Sequence, residues 1–248
     1  MDTDPATTPS PAVEFGEIVS SVTTLLDCEG VLFDFNGTLS DDEWILERIF
    51  IELAAKECGV FLAEQQYRAE LYGRSDSEIA RAIMAKGGAA DIRECDFLEL
   101  LDHRYNEEVS LHSPISEDTC ALVHSLQAAG IQLGVVTGAG RATVLPALER
   151  AGVRGAFSVV VTQEDVKAGK PDPEGLLMAA AALGLEDPRR VAVFEDSVPG
   201  LQAVGAAGMV PLAVGGILPK DSVLPFAAVW IEQLGRACLQ TPLRPAFN

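Results

Sequence analysis

The chain has 248 residues, 48% of them hydrophobic, and its 18 basic and 37 acidic residues give a formal net charge of −19. A chain of this length can bury a core, and it contains no basic stretch of the kind that binds nucleic acid or an anionic membrane. The negative charge also opposes an anionic substrate, so a phosphate site would need local cations or a metal ion. We therefore expect a globular protein with neither nucleic acid nor a membrane as partner.

The first dozen residues, MDTDPATTPSPA, are rich in Pro, Thr and Asp, a composition that predicts a disordered tail. No basic segment followed by an apolar one opens the chain, and no apolar run is long enough to cross a membrane. The five cysteines are far apart and form no C-x-x-C pair, which favours reduced thiols. The expected location is cytoplasmic.

Short apolar runs alternate with helical patterns along most of the chain. The runs that predict strands cover residues 30–35, 131–137, 156–162, 190–195, 209–214 and 228–231. The patterns that predict helices between them cover residues 117–129, 141–152, 173–183 and 198–207. Because the strands are almost continuously apolar, this alternation predicts a doubly wound parallel α/β sheet with helices on both faces.

One connection does not fit this alternation of strands and helices. Roughly 100 residues separate the first predicted strand from the second, whereas a loop between a strand and the next helix usually has only a few residues. Within it, Ile45, Ile49 and Leu53 recur at helical spacing. The segment predicts an inserted α-helical cap domain that covers the strand ends as a lid. The expected division is an N-terminal tail at 1–28, a core at 29–43 and 113–235, a cap at 44–112, and a C-terminal tail at 236–248.

Polar side chains follow the predicted strands. The carboxyl ends of parallel strands meet at one edge, so we expect a single crevice to hold Asp34, Asn36, Thr137, Lys170, Glu195 and Asp196. This set permits phosphoryl transfer, in which Asp34 attacks phosphorus while Lys170 and Thr137 hold the phosphoryl oxygens. Mg²⁺ held by Asp34, Glu195 and Asp196 would offset the charge repulsion.

These segments resemble the motifs of the haloacid dehalogenase superfamily: DFNGT from Asp34, Thr137, Lys170 before Pro171, and EDSVPG from Glu195. The resemblance spans roughly residues 29–235 and points to the branch with a helical cap after the first strand, which includes phosphoglycolate phosphatase and β-phosphoglucomutase. It implies an aspartyl-phosphate on Asp34, catalytic roles for Asn36 and Lys170, and Mg²⁺ at Asp34, Asn36, Glu195 and Asp196. The substrate contacts that we expect, some of them from the cap segment YGRSDSEI, are Thr137, Gly138, Arg74, Ser75 and Arg141.

Asn36 departs from the family pattern, D-x-D-G-T/V, in which an acid at this position protonates the leaving oxygen and later activates water. An amide has no proton to exchange, and general acid–base help is typically worth ~10²–10⁴-fold in rate. Three explanations stay open. The protein is a slow phosphatase that manages without this acid or uses another, with Asp41 and Asp42 nearby; it binds or senses a phosphate ligand with little catalysis; or Asn36, which precedes Gly37, deamidates in part.

Hydrolysis of a small phosphorylated metabolite is the function that the sequence favours, and phosphate binding or sensing is the alternative. The acid pair Glu195 and Asp196 argues against a metal-independent haloalkanoate dehalogenase. Because fold does not determine substrate, neither the individual substrate nor the oligomeric state follows from the sequence.

Overall fold

A computed structural model describes residues 23–87 and 92–243 of the chain. Its centre is a six-stranded, fully parallel sheet in the order β3-β2-β1-β4-β5-β6. The strands are β1 Gly30–Phe33, β2 Gln132–Val136, β3 Val159–Val161, β4 Val191–Glu195, β5 Val210–Val214 and β6 Val229–Ile231. Each lies inside one of the six apolar runs, so the predicted parallel α/β sheet is confirmed.

Side chains of the central strands alternate between two cores, one on each face of the sheet. In β1, Val31 and Phe33 enter the larger apolar cluster, whereas Leu32 enters the cluster on the opposite face. In β4, Phe194 joins the first and Val193 the second. Successive residues of a strand point to opposite faces, so both must be apolar where helices cover both sides. This double burial explains the continuous apolar runs.

Among the described residues, the part of the long connection from residue 43 to 109 forms four helices, in agreement with the predicted inserted α-helical cap. They are α1 Glu43–Cys58, α2 Glu64–Glu70, α3 Asp76–Lys86 and α4 Glu94–Val109. They bury an apolar cluster of their own, in which the Phe50 and Phe97 rings stack with centroids 6.3 Å apart. The inserted helical cap is therefore a unit with its own core.

The remaining helices flank the sheet. They are α5 Glu117–Ala128, α6 Arg141–Arg150, α7 Glu174–Ala182, α8 Val198–Ala206 and the short α9 Lys220–Val223. Ser116 and Ser197 begin α5 and α8 as N-caps, each accepting a backbone N–H with its hydroxyl. No helix of the two described ranges is both long and apolar enough to cross a membrane.

The segments that flank the core on both sides pack against it. Leu25 and Leu243 are fully buried in the larger core cluster, which also contains Cys238. The Leu243 amide donates to the Thr23 carbonyl oxygen at 2.9 Å. The division at residues 28, 43, 112 and 235 stays a prediction, and the outer parts of both expected tails, 1–22 and 244–248, lie outside the described residues.

Candidate active site

The strand ends bring the candidate catalytic residues to one edge of the sheet. Asp34 follows β1 directly, Thr137 follows β2, and Glu195 ends β4 with Asp196 after it. All four are buried. Parallel strands place their carboxyl ends together, which is why residues distant in sequence meet here.

Lys170 joins two of these carboxylates. Its ammonium lies 2.6 Å from Asp34 Oδ1 and 2.6 Å from Glu195 Oε2. Burial alone lowers the pKa of the Lys170 ammonium, but the charges of Asp34 and Glu195 outweigh it and raise that pKa above its usual range. The lysine therefore stays protonated and supplies one fixed positive charge at the edge.

Three carboxylates form a cluster suited to a metal ion. One carboxylate oxygen from each of Asp34, Glu195 and Asp196 lies within 4.8 Å of the other two. Burial, then repulsion from Glu195, raises the pKa of Asp34 to about 7, and burial with the same repulsion raises that of Asp196. Three buried carboxylates facing one ammonium leave an excess of negative charge, and an all-oxygen donor set suits Mg²⁺. The residues present fit such a cation.

Two local features hold the acidic pair in place. Glu195 Oε1 accepts the backbone N–H of Ser197 at 3.1 Å and its hydroxyl at 2.7 Å. Gly37 has a positive φ of 72°, and a Cβ there would lie 2.1 Å from Asp196 Oδ2. Gly37 is thus needed both for the turn and for the close approach of Asp196.

Asn36 faces the same cavity, but its amide is engaged elsewhere. Nδ2 donates to Asp42 Oδ2 at 3.0 Å, and Asp42 also accepts from the hydroxyls of Ser40 and Tyr105. Burial raises the pKa of Asp42 to about 6, although these hydrogen bonds oppose the shift. Asp42 lies behind Asn36, and neither it nor the exposed Asp41 is among the residues that line the cavity.

The cap closes the cavity from the other side. Arg74 and Ser75 line it, together with Thr137 and Gly138 of the core. The Ser75 hydroxyl is occupied as the N-cap of α3, where it accepts from Glu78 N and donates to Glu78 Oε2. The Arg74 side chain is exposed at the rim. Apolar cap residues complete the lining: Leu46, Phe50 and Ile79.

Arg141 is not brought into the cavity. It begins α6, and its guanidinium pairs with Asp165 through contacts of 2.6 and 2.7 Å. The position of Arg141 at the start of the helix after β2 suggested a substrate contact, but this ion pair directs its side chain to the surface. As a substrate-binding residue, Arg141 has no support from the geometry.

Sequence reasoning missed three polar residues of the cap that reach this site. Glu43 and Asp76 line the cavity, and the Tyr72 hydroxyl donates to Asp196. Burial, then the charge of Asp196, raises the pKa of Glu43 well above its usual range. The helical spacing of Ile45, Ile49 and Leu53 predicted α1, but both acids stand at a helix start, and only the docking of the cap reveals which helix ends meet the sheet edge.

Comparison of the sequence with known proteins gives three findings. A sequence model described as haloacid dehalogenase-like hydrolase matches residues 28–208. Hexitol phosphatase A of Escherichia coli is 34% identical over 196 residues, covering 79% of this chain and 86% of that protein. N-acetylmuramic acid 6-phosphate phosphatase of Pseudomonas aeruginosa is 32% identical over 198 residues, covering 78% of this chain and 85% of that protein.

A solved structure of similar fold is CbbY from Rhodobacter sphaeroides in complex with phosphate. It superposes with a TM-score of 0.75 at 26% identity and covers 86% of this chain and all of that chain. The resemblance extends over both the sheet and the inserted helices, because a match of this coverage leaves little of the described chain outside it.

Proposed function

The chain belongs to the haloacid dehalogenase-like hydrolases and is a phosphatase, and from this premise we propose that it hydrolyses the phosphate monoester of a small sugar or sugar alcohol with Mg²⁺ as cofactor. The observation that supports the proposal best is the cluster of Asp34, Glu195 and Asp196, in which the first two pair with the Lys170 ammonium. The names of the two relatives, both phosphatases of phosphorylated sugar derivatives, favour the substrate class.

In the proposed reaction, a carboxylate oxygen of Asp34 forms a bond to phosphorus while the bond from phosphorus to the ester oxygen breaks. The leaving oxygen takes a proton from water and departs as the alcohol, and the phosphoryl group stays on Asp34. Water then hydrolyses the aspartyl-phosphate and releases inorganic phosphate. Lys170 holds the Asp34 carboxylate and supplies positive charge to the phosphoryl oxygens, and Thr137 with Gly138 borders their position. Mg²⁺, when bound by Asp34, Glu195 and Asp196, would neutralise part of the negative charge.

The cap residues that line the cavity favour a small leaving group. Leu46, Phe50 and Ile79 offer apolar contacts, whereas Glu43 can accept hydrogen bonds from hydroxyl groups. A neutral polyol presents both kinds of surface. Arg74 at the rim is the cap cation that can meet the phosphate as it enters.

Binding or sensing of a phosphate ligand is the second candidate, and the presence of Asn36 favours it. The amide cannot exchange a proton with the leaving oxygen or with water, so a site that still binds phosphate and Mg²⁺ would turn over slowly. Of the three acids that follow in sequence, Asp41, Asp42 and Glu43, only Glu43 lines the cavity.

Phosphate release from a panel of hexitol and sugar phosphates, with Mg²⁺ and with EDTA, tests the proposal. Asp34→Asn should abolish Mg²⁺-dependent release, while Asp41→Asn, which removes an exposed carboxylate outside the cavity, should leave it unchanged. Release that continues in Asp34→Asn would refute the nucleophile. Binding of inorganic phosphate without release from any ester in the panel would favour the sensing function.

A further inference from the structure

Tyr72 joins the cap to the proposed metal site. It lies in the turn after α2, and its hydroxyl donates a hydrogen bond to Asp196 Oδ2. Tyr72 is 7% exposed and Asp196 2%, so water has little access to either group. The turn itself is anchored, because the Tyr72 amide donates to the Tyr67 carbonyl oxygen at 3.2 Å. A cap side chain thus holds a carboxylate that stands at the sheet edge.

Glycines in the surrounding backbone leave space for the Tyr72 and Asp196 side chains. A Cβ at Gly216 would lie 2.9 Å from Asp196 Oδ2 and 3.3 Å from the Tyr72 hydroxyl, and a Cβ at Gly37 would overlap the same carboxylate oxygen. Two glycines on different loops therefore leave the space that the tyrosine and the aspartate fill. Within residues 23–87 and 92–243, the hydrogen bond to Asp196 Oδ1 is a long one of 3.4 Å, from the Thr38 hydroxyl. Tyr72 is consequently the principal restraint on how this carboxylate is turned.

We propose that Tyr72 is a positioning residue that orients the Asp196 carboxylate for Mg²⁺ and so couples docking of the cap to metal binding. The inference rests on the Mg²⁺ site of the proposed function. A hydrogen-bonded partner that fixes a ligand carboxylate is typically worth 10–100-fold in metal affinity. Coupling is reciprocal: if the docked cap strengthens metal binding, bound metal strengthens cap docking to the same degree.

Titration calorimetry with Mg²⁺ alone, on the full chain, tests the first half of the proposal. We expect Tyr72→Phe, which keeps the ring and removes only the hydroxyl, to weaken Mg²⁺ binding by at least ~10-fold. Thr143→Val is the control, because it also removes a hydroxyl-to-carboxylate hydrogen bond between core and cap, but at Asp102, which is outside the carboxylate cluster. Its Mg²⁺ affinity should stay at the level of the unaltered protein.

Hydrogen exchange tests the second half without reference to catalysis. In the unaltered protein, Mg²⁺ should slow the exchange of amides in residues 71–76, and in Tyr72→Phe this protection should be lost. Equal Mg²⁺ affinity in the unaltered protein and Tyr72→Phe would overturn the inference alone, as would an equal loss in Thr143→Val. Absence of Mg²⁺ binding in the unaltered protein would overturn the proposed metal dependence together with the inference.

Discussion

Asn36 and Asp42 form one hydrogen-bonded unit, with the amide as donor and the carboxylate as acceptor. Replacing Asn36 alone by Asp would set two buried carboxyl groups against each other, so one of them would have to hold a proton. Exchanging both residues, as Asn36→Asp with Asp42→Asn, keeps a donor and an acceptor and merely reverses their positions. The pair is therefore the right unit to alter when the missing acid is restored.

We predict that this double variant raises kcat by at least ~10-fold, because general acid–base help is typically worth ~10²–10⁴-fold. Steady-state phosphate release at saturating Mg²⁺ measures it, with Asp42→Asn alone as the control. A kcat that does not rise in the double variant, although its unfolding curve matches that of the unaltered protein, would show that an acid other than residue 36 already serves the reaction.

Lys170 is the only cation in hydrogen-bond contact with the Asp34 and Glu195 carboxylates among the described residues. Removing one partner of a buried ionic network leaves uncompensated charge and usually costs about 3–5 kcal/mol. Lys170→Met should lower the free energy of unfolding by about this amount in EDTA, as measured by urea denaturation. Lys167→Met is the control, since Lys167 is exposed. A similar small effect in both variants would contradict a central role for Lys170.

At the scale of elements, the first turn of α3 contains an acid that docks the cap onto the loop between β2 and α6. Asp76 Oδ2 accepts the Gly140 amide at 3.0 Å, and the Asp76 amide donates to the Gly138 carbonyl oxygen at 3.0 Å. Burial raises the pKa of Asp76 to about 7; the Gly140 N–H opposes this shift, while the charges of Asp102, Glu164 and Asp42 add to it. The docking contact therefore titrates near neutral pH.

The sign of the pH dependence follows from this raised pKa. Between the unfolded value of 3.8 and about 7, the folded protein binds the proton more tightly than the unfolded chain. The tighter proton binding of Asp76 in the folded state adds to the free energy of unfolding. This contribution is complete below pH 4 and is lost as the pH rises through 7. Asp76→Asn, which keeps an acceptor for Gly140, should therefore be more stable than the unaltered protein at pH 8, and this advantage should be much smaller at pH 5. Urea denaturation in EDTA at both values measures it, and a difference that is independent of pH would refute the assignment.

Strands and helices of the core follow from sequence more readily than the cap contacts, and the reason is physical. A central strand such as β1 is buried on both faces, so its whole length is apolar and the polar residue that ends it, Asp34, is conspicuous. No sequence pattern identifies Tyr72 as a residue of the site, because its partner Asp196 lies 124 positions away in the chain. Arg141 is the opposite case, since its position in the chain suggested the cavity but its guanidinium pairs with Asp165.

At the scale of the whole molecule, the acidic balance of the chain bears on substrate entry. A net charge of −19 repels a phosphate ester at long range, and salt screens this repulsion over about 8–10 Å at physiological ionic strength. Local charge at the sheet edge must therefore at least offset the carboxylates that the substrate would meet there. Lys170 supplies one positive charge against three carboxylates, so one divalent cation would bring the local charge to zero.

The same excess of buried negative charge predicts that Mg²⁺ stabilises the entire fold. A cation that binds only the folded state adds RT ln(1 + [L]/Kd), about 2.7 kcal/mol when its concentration is 100 times Kd. The midpoint of thermal unfolding should therefore rise with Mg²⁺ and should rise much less in Asp196→Asn, where one ligand charge is gone. NaCl at matched ionic strength controls for general screening of the net charge. If NaCl raised the midpoint as far as Mg²⁺ does, the stabilisation would come from general screening of the net charge and not from a specific site. At equal ionic strength the two salts screen alike, so only a specific cation site would make Mg²⁺ the more effective one.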